Sequence, residues 1–152
     1  MDAPLRPNPA LTELAVLVGD WTMTLSNATF LPNSTDRVMG SASFAWIEDG
    51  ALLALYQGAK PSGAPEARWI VGRDEGGDDY TVLYVDARGV SRVYGMRFVG
   101  RTWTLWRETA DFSQRFTARL SDDQNTISGR WEKQFGTAPW EHDFDVTYQR
   151  TA

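Results

Sequence analysis

Any chemistry in this chain has to come from a short list of side chains. There is one histidine, His142, and there is no cysteine. His142 lies in the run Trp140-Glu141-His142-Asp143-Phe144-Asp145-Val146-Thr147-Tyr148, where aromatic and apolar residues alternate with acids and a hydroxyl. An imidazole in that company is suited to general-base work, or to service as a hydrogen-bonded member of a wall. Arg92 shares a parity with Tyr94, Met96 and Phe98, and Arg107 shares one with Trp103 and Leu105. A guanidinium among such neighbours can hold a carboxylate through a bidentate fork, and once buried it needs some partner of that kind. Asp86, Glu108 or a backbone carbonyl would serve within the chain. Gln114, between Phe112 and Phe116, and Tyr148 complete the polar groups that sit among aromatics.

The same inventory excludes the common catalytic templates. Without cysteine there are no disulfides, thiolate metal sites or cysteine nucleophiles, and a lone histidine does not make a zinc cluster, so no metal is expected. No Gly-x-Ser-x-Gly elbow is present, and Ser62-Gly63 reads as turn chemistry. Asp74, Glu75, Asp78 and Asp79 flank Gly76-Gly77 without the spacing or terminal glutamate of a calcium loop. Most acids, Glu141, Asp143 and Asp145 among them, fall on outward parities or in turns, which leaves no inward carboxylate pair for glycosidase chemistry. Fifteen basic against twenty acidic residues give a net charge of −5 with no Lys/Arg run, so nucleic acid is not an expected partner. The catalytic residues, if there are any, are not legible.

These side chains must be positioned by strands. Trp140, His142, Phe144, Val146 and Tyr148 occupy one parity of the last segment and Glu141, Asp143, Asp145 and Thr147 the other. That is the period-two pattern of a strand with one buried face and one wet face. Ten such segments run near 20–30, 37–47, 51–58, 66–73, 79–86, 90–98, 102–108, 111–120, 126–134 and 140–149, separated by turn residues such as Asp49-Gly50, Gly76-Gly77 and Arg88-Gly89. None has the short length, proline or inward lysine of a protected edge, so the sheet is expected to close. The segment around Tyr84 is apolar on both parities. With Tyr84 inward, Leu83 and Val85 would face out as a modest homodimer patch. Gly95 and Gly129 are the expected places for a register slip. Before the strands, Asn8 can cap and Pro9 can open a short helix (about 9–18) whose Leu11, Leu14, Ala15, Leu17 and Val18 make one apolar face, with Gly19 as its stop. The stretch Gly58–Pro65 reads as a flap at the mouth or a plain spacer.

The expected fold is all-β: one domain spanning 1–152, a ten-stranded antiparallel up-and-down barrel (about 20–150) with a short N-terminal lidding helix. Two pieces of sequence carry a family resemblance. Leu17-Val18-Gly19-Asp20-Trp21 places a Gly-x-Trp at the entrance to the first strand, and Val146-Thr147-Tyr148-Gln149-Arg150 ends the last. This pairing resembles the lipocalin-like, or calycin, superfamily, which implies that Trp21 packs beneath Arg150 to close the barrel base. With Tyr84-Val85-Asp86-Ala87-Arg88-Gly89 and Asp143-Phe144-Asp145 added, the chain resembles the bacterial DUF1579-type lipocalin-like proteins. Ten strands also resemble the fatty-acid-binding-protein and nitrobindin-like branches, and the latter implies haem held by a late histidine, here His142. Against that, the Gly-Asp-Trp-Thr-Met start lacks the further glycines of the nitrobindin-type motif, and no cofactor is the expectation.

The reading that follows is a binding module holding an apolar or amphipathic small molecule, with Trp69, Tyr84, Arg92, Tyr94, Trp103, Arg107, Phe116, Trp131, His142 and Phe144 as candidate contacts. The alternative is a cofactor-free cyclase or isomerase in which Arg92, Tyr94 or His142 polarises a substrate folded by the cavity. Whether the barrel is hollow or filled is left open. No segment has a signal-peptide pattern or approaches the ~20 apolar residues of a spanning helix, and the absence of cysteine fits a reducing compartment, so a cytoplasmic protein without membrane insertion is expected.

Overall fold

The structure, a computed structural model, describes residues 7–33, 35–59 and 66–151. Ten antiparallel strands follow in chain order: β1 (Gly19–Ser26), β2 (Val38–Ile47), β3 (Leu52–Ala59), β4 (Ala67–Arg73), β5 (Tyr80–Asp86), β6 (Ser91–Val99), β7 (Thr102–Arg107), β8 (Phe112–Leu120), β9 (Thr126–Phe135) and β10 (Glu141–Arg150). Each pairs with its neighbours in sequence and β1 pairs with β10, so the meander closes into a barrel and leaves no edge. Among the described residues no helix is long and apolar enough to cross a membrane. The expected flap is mostly outside the described residues: Gly58 and Ala59 belong to β3, and 60–65 are not described.

The N-terminal helix, Pro9–Leu17, is a 3-10 helix. Asn8 caps it, its Oδ1 accepting from the Ala10 N–H at 3.0 Å. Three residues per turn put Leu11, Leu14 and Leu17 on one line, and all three are buried. Ala15, expected on that face, is exposed instead, because a step of four leaves the eclipsed row. The helix plugs the base of the barrel. Tyr80 Oη donates to the Ala10 carbonyl at 2.7 Å, Trp21 Nε1 donates to the Leu17 carbonyl at 3.0 Å, and Arg150 Nη1 donates to the Val18 carbonyl at 2.7 Å. The Arg150 guanidinium lies 4.2 Å from the centroid of the Trp21 ring, its register partner across the β1–β10 seam.

The first strand is shorter than expected. Asn27 takes a positive φ of 52°, a left-handed turn that asparagine tolerates better than most residues, and it swings the chain across the mouth. There the Thr29 N–H donates to the Asp143 carbonyl at 2.9 Å.

Register runs unbroken through Gly95 and Gly129, and the slip occurs instead between His142 and Phe144 on β10. Both glycines accommodate aromatic rings. A Cβ at Gly95 would stand 2.4 Å from Trp106 Cε2 on the outer face, and one at Gly129 would stand 2.6 Å from Phe116 Cε2 inside.

At the base the helix leucines are buried together with Trp21, Leu53, Val71, Tyr80, Val82, Met96, Leu120 and Ile127. Toward the mouth six rings, Trp69, Tyr84, Tyr94, Phe116, Trp131 and Phe144, line the interior beside Met23, Leu25, Leu55, Leu105 and Val146. Leu83 faces outward on β5, in register with Ile70 and Val93 on either side.

Candidate functional site

The aromatic half of the barrel is not filled by its own side chains. It surrounds a pocket of about 540 Å3 that extends from Trp103, Tyr148 and Gln57 up to Arg88, Arg92, Gln114 and Asp143 at the mouth, where Phe30 and Leu31 of the β1–β2 loop overhang it. Phe30 packs edge-on against Phe144, centroids 5.6 Å apart.

Alternation along β6, β7 and β8 brings the polar groups to one side of this mouth. Tyr94 Oη donates to Gln114 Oε1 at 2.7 Å, and Arg92 Nη1 donates to the same oxygen at 3.3 Å. Arg92 also lies over the Phe112 ring at 5.8 Å. Arg107, the register partner of Gln114, donates to the Phe112 carbonyl at 3.3 Å. Neither arginine forms an ion pair among the described residues, whereas Arg88, Arg97, Arg101 and Arg115 each hold a carboxylate. Arg88 reaches Asp86 Oδ2 at 2.7 Å, and the Tyr84 hydroxyl donates to that oxygen at 2.6 Å.

Deeper in, Gln57 bridges the barrel. Its Nε2 donates to Tyr148 Oη at 2.7 Å and its Oε1 accepts from Trp69 Nε1 at 3.3 Å. An indole nitrogen can only donate, which fixes the orientation of the amide. Trp103 Nε1 has no hydrogen-bond partner among the described residues and is fully covered. Its ring meets Phe44 and Phe116 edge-to-face at 5.8 and 5.0 Å.

Eight of the ten residues expected to contact a ligand line this pocket: Trp69, Tyr84, Arg92, Tyr94, Trp103, Phe116, Trp131 and Phe144. Arg107 stands beside the wall, half-buried. His142 is a correction. The bulge between His142 and Phe144 puts Phe144 opposite Trp131, inside, and His142 opposite Glu132, on the outer face. There His142 Nε2 bonds Asp145 Oδ1 at 2.9 Å. It touches nothing in the pocket, so neither base catalysis in the cavity nor axial ligation of haem falls to it.

The same bulge reverses the expectation for Asp143, which is buried and lines the pocket. Its carboxylate accepts from Thr29 Oγ1 at 3.2 Å and lies 3.4 Å from Lys133 Nζ. Trp140 is likewise turned outward, under the Arg115 guanidinium at 4.2 Å. Gln57 was missed by the sequence reading, although it continues the inward parity of Leu53 and Leu55 and strict alternation on β3 would have found it.

Burial keeps the phenols of this interior protonated. It raises those of Tyr94 and Tyr148 above the ordinary value, with the Arg92 guanidinium partly opposing it at Tyr94 and the Gln57 amide at Tyr148. Burial, reinforced by Asp86, pushes Tyr84 up to about 12, and burial together with Glu13 raises Tyr80. The unfolded chain releases these protons near pH ~10 and the folded chain only later. The stabilisation is therefore complete below about pH 10 and is lost as pH rises toward the folded values. In an alkaline titration, tyrosinate absorbance from these four is expected to lag and then to rise with loss of structure. Ionisation of all four near pH ~10 in an intact barrel would contradict the burial described here.

No protein-family model and no curated protein matches the chain. Among solved structures it is similar to the crystal structure of Rv2717c from M. tuberculosis, at 13% identity and a TM-score of 0.66, over 96% of this chain and 99% of that one. At that identity the likeness establishes a shared barrel fold and nothing about activity.

Proposed function

We propose that this chain is a small-molecule binding protein that holds an amphipathic ligand inside the barrel. One observation carries this reading: the helix-plugged base is made of fully buried side chains, Trp21, Leu53, Val82, Met96 and Ile127 among them, while the other half keeps a pocket of about 540 Å3 with Arg88, Arg92, Gln114 and Asp143 gathered at the mouth. That volume lies within the roughly 300–1,000 Å3 of small-molecule sites, which are mostly apolar with a few placed polar groups. The resemblance of the Gly19–Trp21 and Val146–Arg150 motifs to lipocalin-like barrels supports the same reading. Binding energy would come mainly from apolar burial, roughly 25 cal/mol per Å2, with the Arg92–Gln114 side of the mouth holding the polar end.

The test is native mass spectrometry of freshly purified protein beside its denatured mass, followed by titration of tryptophan fluorescence with a panel of hydrophobic and amphipathic compounds. A discrete non-covalent adduct, or a saturable response that Trp131→Leu removes, is the expected result. A clean apo mass together with no response across the panel would sink the proposal.

A further inference from the structure

The polar groups around the pocket can be counted by what each still has to offer. Gln114 Oε1 already accepts from both Tyr94 and Arg92, so what Gln114 presents to a ligand is its amide N–H pair. Arg92 brings a guanidinium, which has donors only, and Arg107 beside it adds a second positive charge with no carboxylate partner among the described residues. Below them, Tyr148 Oη accepts from Gln57, whose own Oε1 is taken by Trp69, and the Tyr148 proton has no acceptor among the described residues. The carboxylates on this side of the sheet are already engaged, Asp143 across the mouth by Thr29 and Lys133 and Asp86 behind Tyr84 by the Tyr84 hydroxyl and Arg88. Unspent hydrogen-bonding capacity in the pocket is therefore almost all donor, and its charge is positive in a chain whose net charge is −5.

The walls add a shape. Trp131 lies within 28–32° of the planes of Trp69, Phe116 and Phe144, at centroid distances of 5.0–6.2 Å. Rings fixed by two torsions and by each other do not remould around a flexible chain. They do offer faces to a flat one, which stacks on them as one ring of the wall stacks on another.

We infer that the ligand is a planar aromatic carboxylate, its acid group on Arg92 and the Gln114 amide and its ring system against Trp131 and Trp69. The inference rests on the small-molecule-binding reading above and narrows its ligand class. It is tested with three probes: 1-pyrenebutyrate, the neutral 1-pyrenebutanol, and hexadecanoate as a competitor. Binding of the pyrenes is read by energy transfer from tryptophan. The carboxylate is expected to bind about ten- to hundredfold more tightly than the alcohol, as a charge-assisted pair supplies, and hexadecanoate should displace it poorly. Arg92→Met should bring the two pyrenes to near parity, with a circular dichroism spectrum and thermal midpoint like the parent's reporting that the variant is folded. Equal affinity for the two pyrenes in the unaltered protein, or ready displacement by hexadecanoate, overturns the aromatic-acid inference and leaves the binding reading standing. Failure of all three probes to bind overturns the inference alone, and overturns the binding reading as well only when the native mass is clean apo and the wider panel gives no response.

Discussion

Arg150→Ala is expected to lower the stability of the barrel by about 3 kcal/mol, a fall in Tm of roughly 6–12 °C for a chain of this size. Near the end of the chain and partly exposed, the residue looks dispensable, but its contacts say otherwise. Its fork donates to the carbonyls of Val16, Val18 and Gln124, so one side chain ties the 3-10 helix, the entrance to β1 and the β8–β9 turn to the end of β10. The guanidinium also covers the buried Trp21 ring. Alanine would leave carbonyls unpaired at the helix terminus and uncover that ring, both at the seam where first and last strands meet. Arg150→Lys keeps the charge but has no planar fork, and should recover less than half of the loss. Denaturant unfolding followed by tryptophan fluorescence checks this. An alanine variant within about 0.5 kcal/mol of the parent, the range of an unremarkable surface change, would show that closure does not depend on this contact.

The architecture was largely legible because it depends on repetition. Period-two alternation and turn residues fall at intervals short enough that all ten strands could be placed within a few residues, and closure follows from the lack of any protected edge. What alternation cannot report is where it breaks. A single extra residue on β10 reverses the inward assignment of everything between it and the hairpin, and His142, Asp143 and Trp140 all lie on that side. The aromatic parity there was so regular that it favoured the wrong face, since Trp140 is just as well satisfied outside by Arg115. Glycine suggested bulges at Gly95 and Gly129, but its missing side chain is used there for ring clearance. Nor could the hollow be read from composition. Aliphatic side chains and aromatic rings both fill the base and line the pocket, so residue type does not separate the two.

Gly129 offers the other large effect, because it links barrel stability to the pocket. A Cβ at this position would stand 2.6 Å from Phe116 Cε2 and 2.8 Å from the Ala118 Cβ, both on the neighbouring β8. The Phe116 ring cannot simply step aside, for it is held edge-on by Trp103 and near-parallel to Trp131, each at 5.0 Å. In Gly129→Val the displaced ring has one open direction, into the pocket past Trp131. Overpacking of this kind costs about 1–3 kcal/mol, and the upper end is expected here because two methyl groups follow the Cβ. Ligand affinity should fall with stability, as the volume lost is pocket volume. Gly95→Val is the matched control: its Cβ collides with Trp106, a ring on the outer face under the Arg97 guanidinium at 5.4 Å. That ring can rotate into solvent, so the variant should lose about 1 kcal/mol and bind as the parent does. Denaturant midpoints and binding titrations on both variants separate the cases. Equal losses of stability, or a Gly129→Val variant that binds normally, would mean that Phe116 has freedom these contacts deny it.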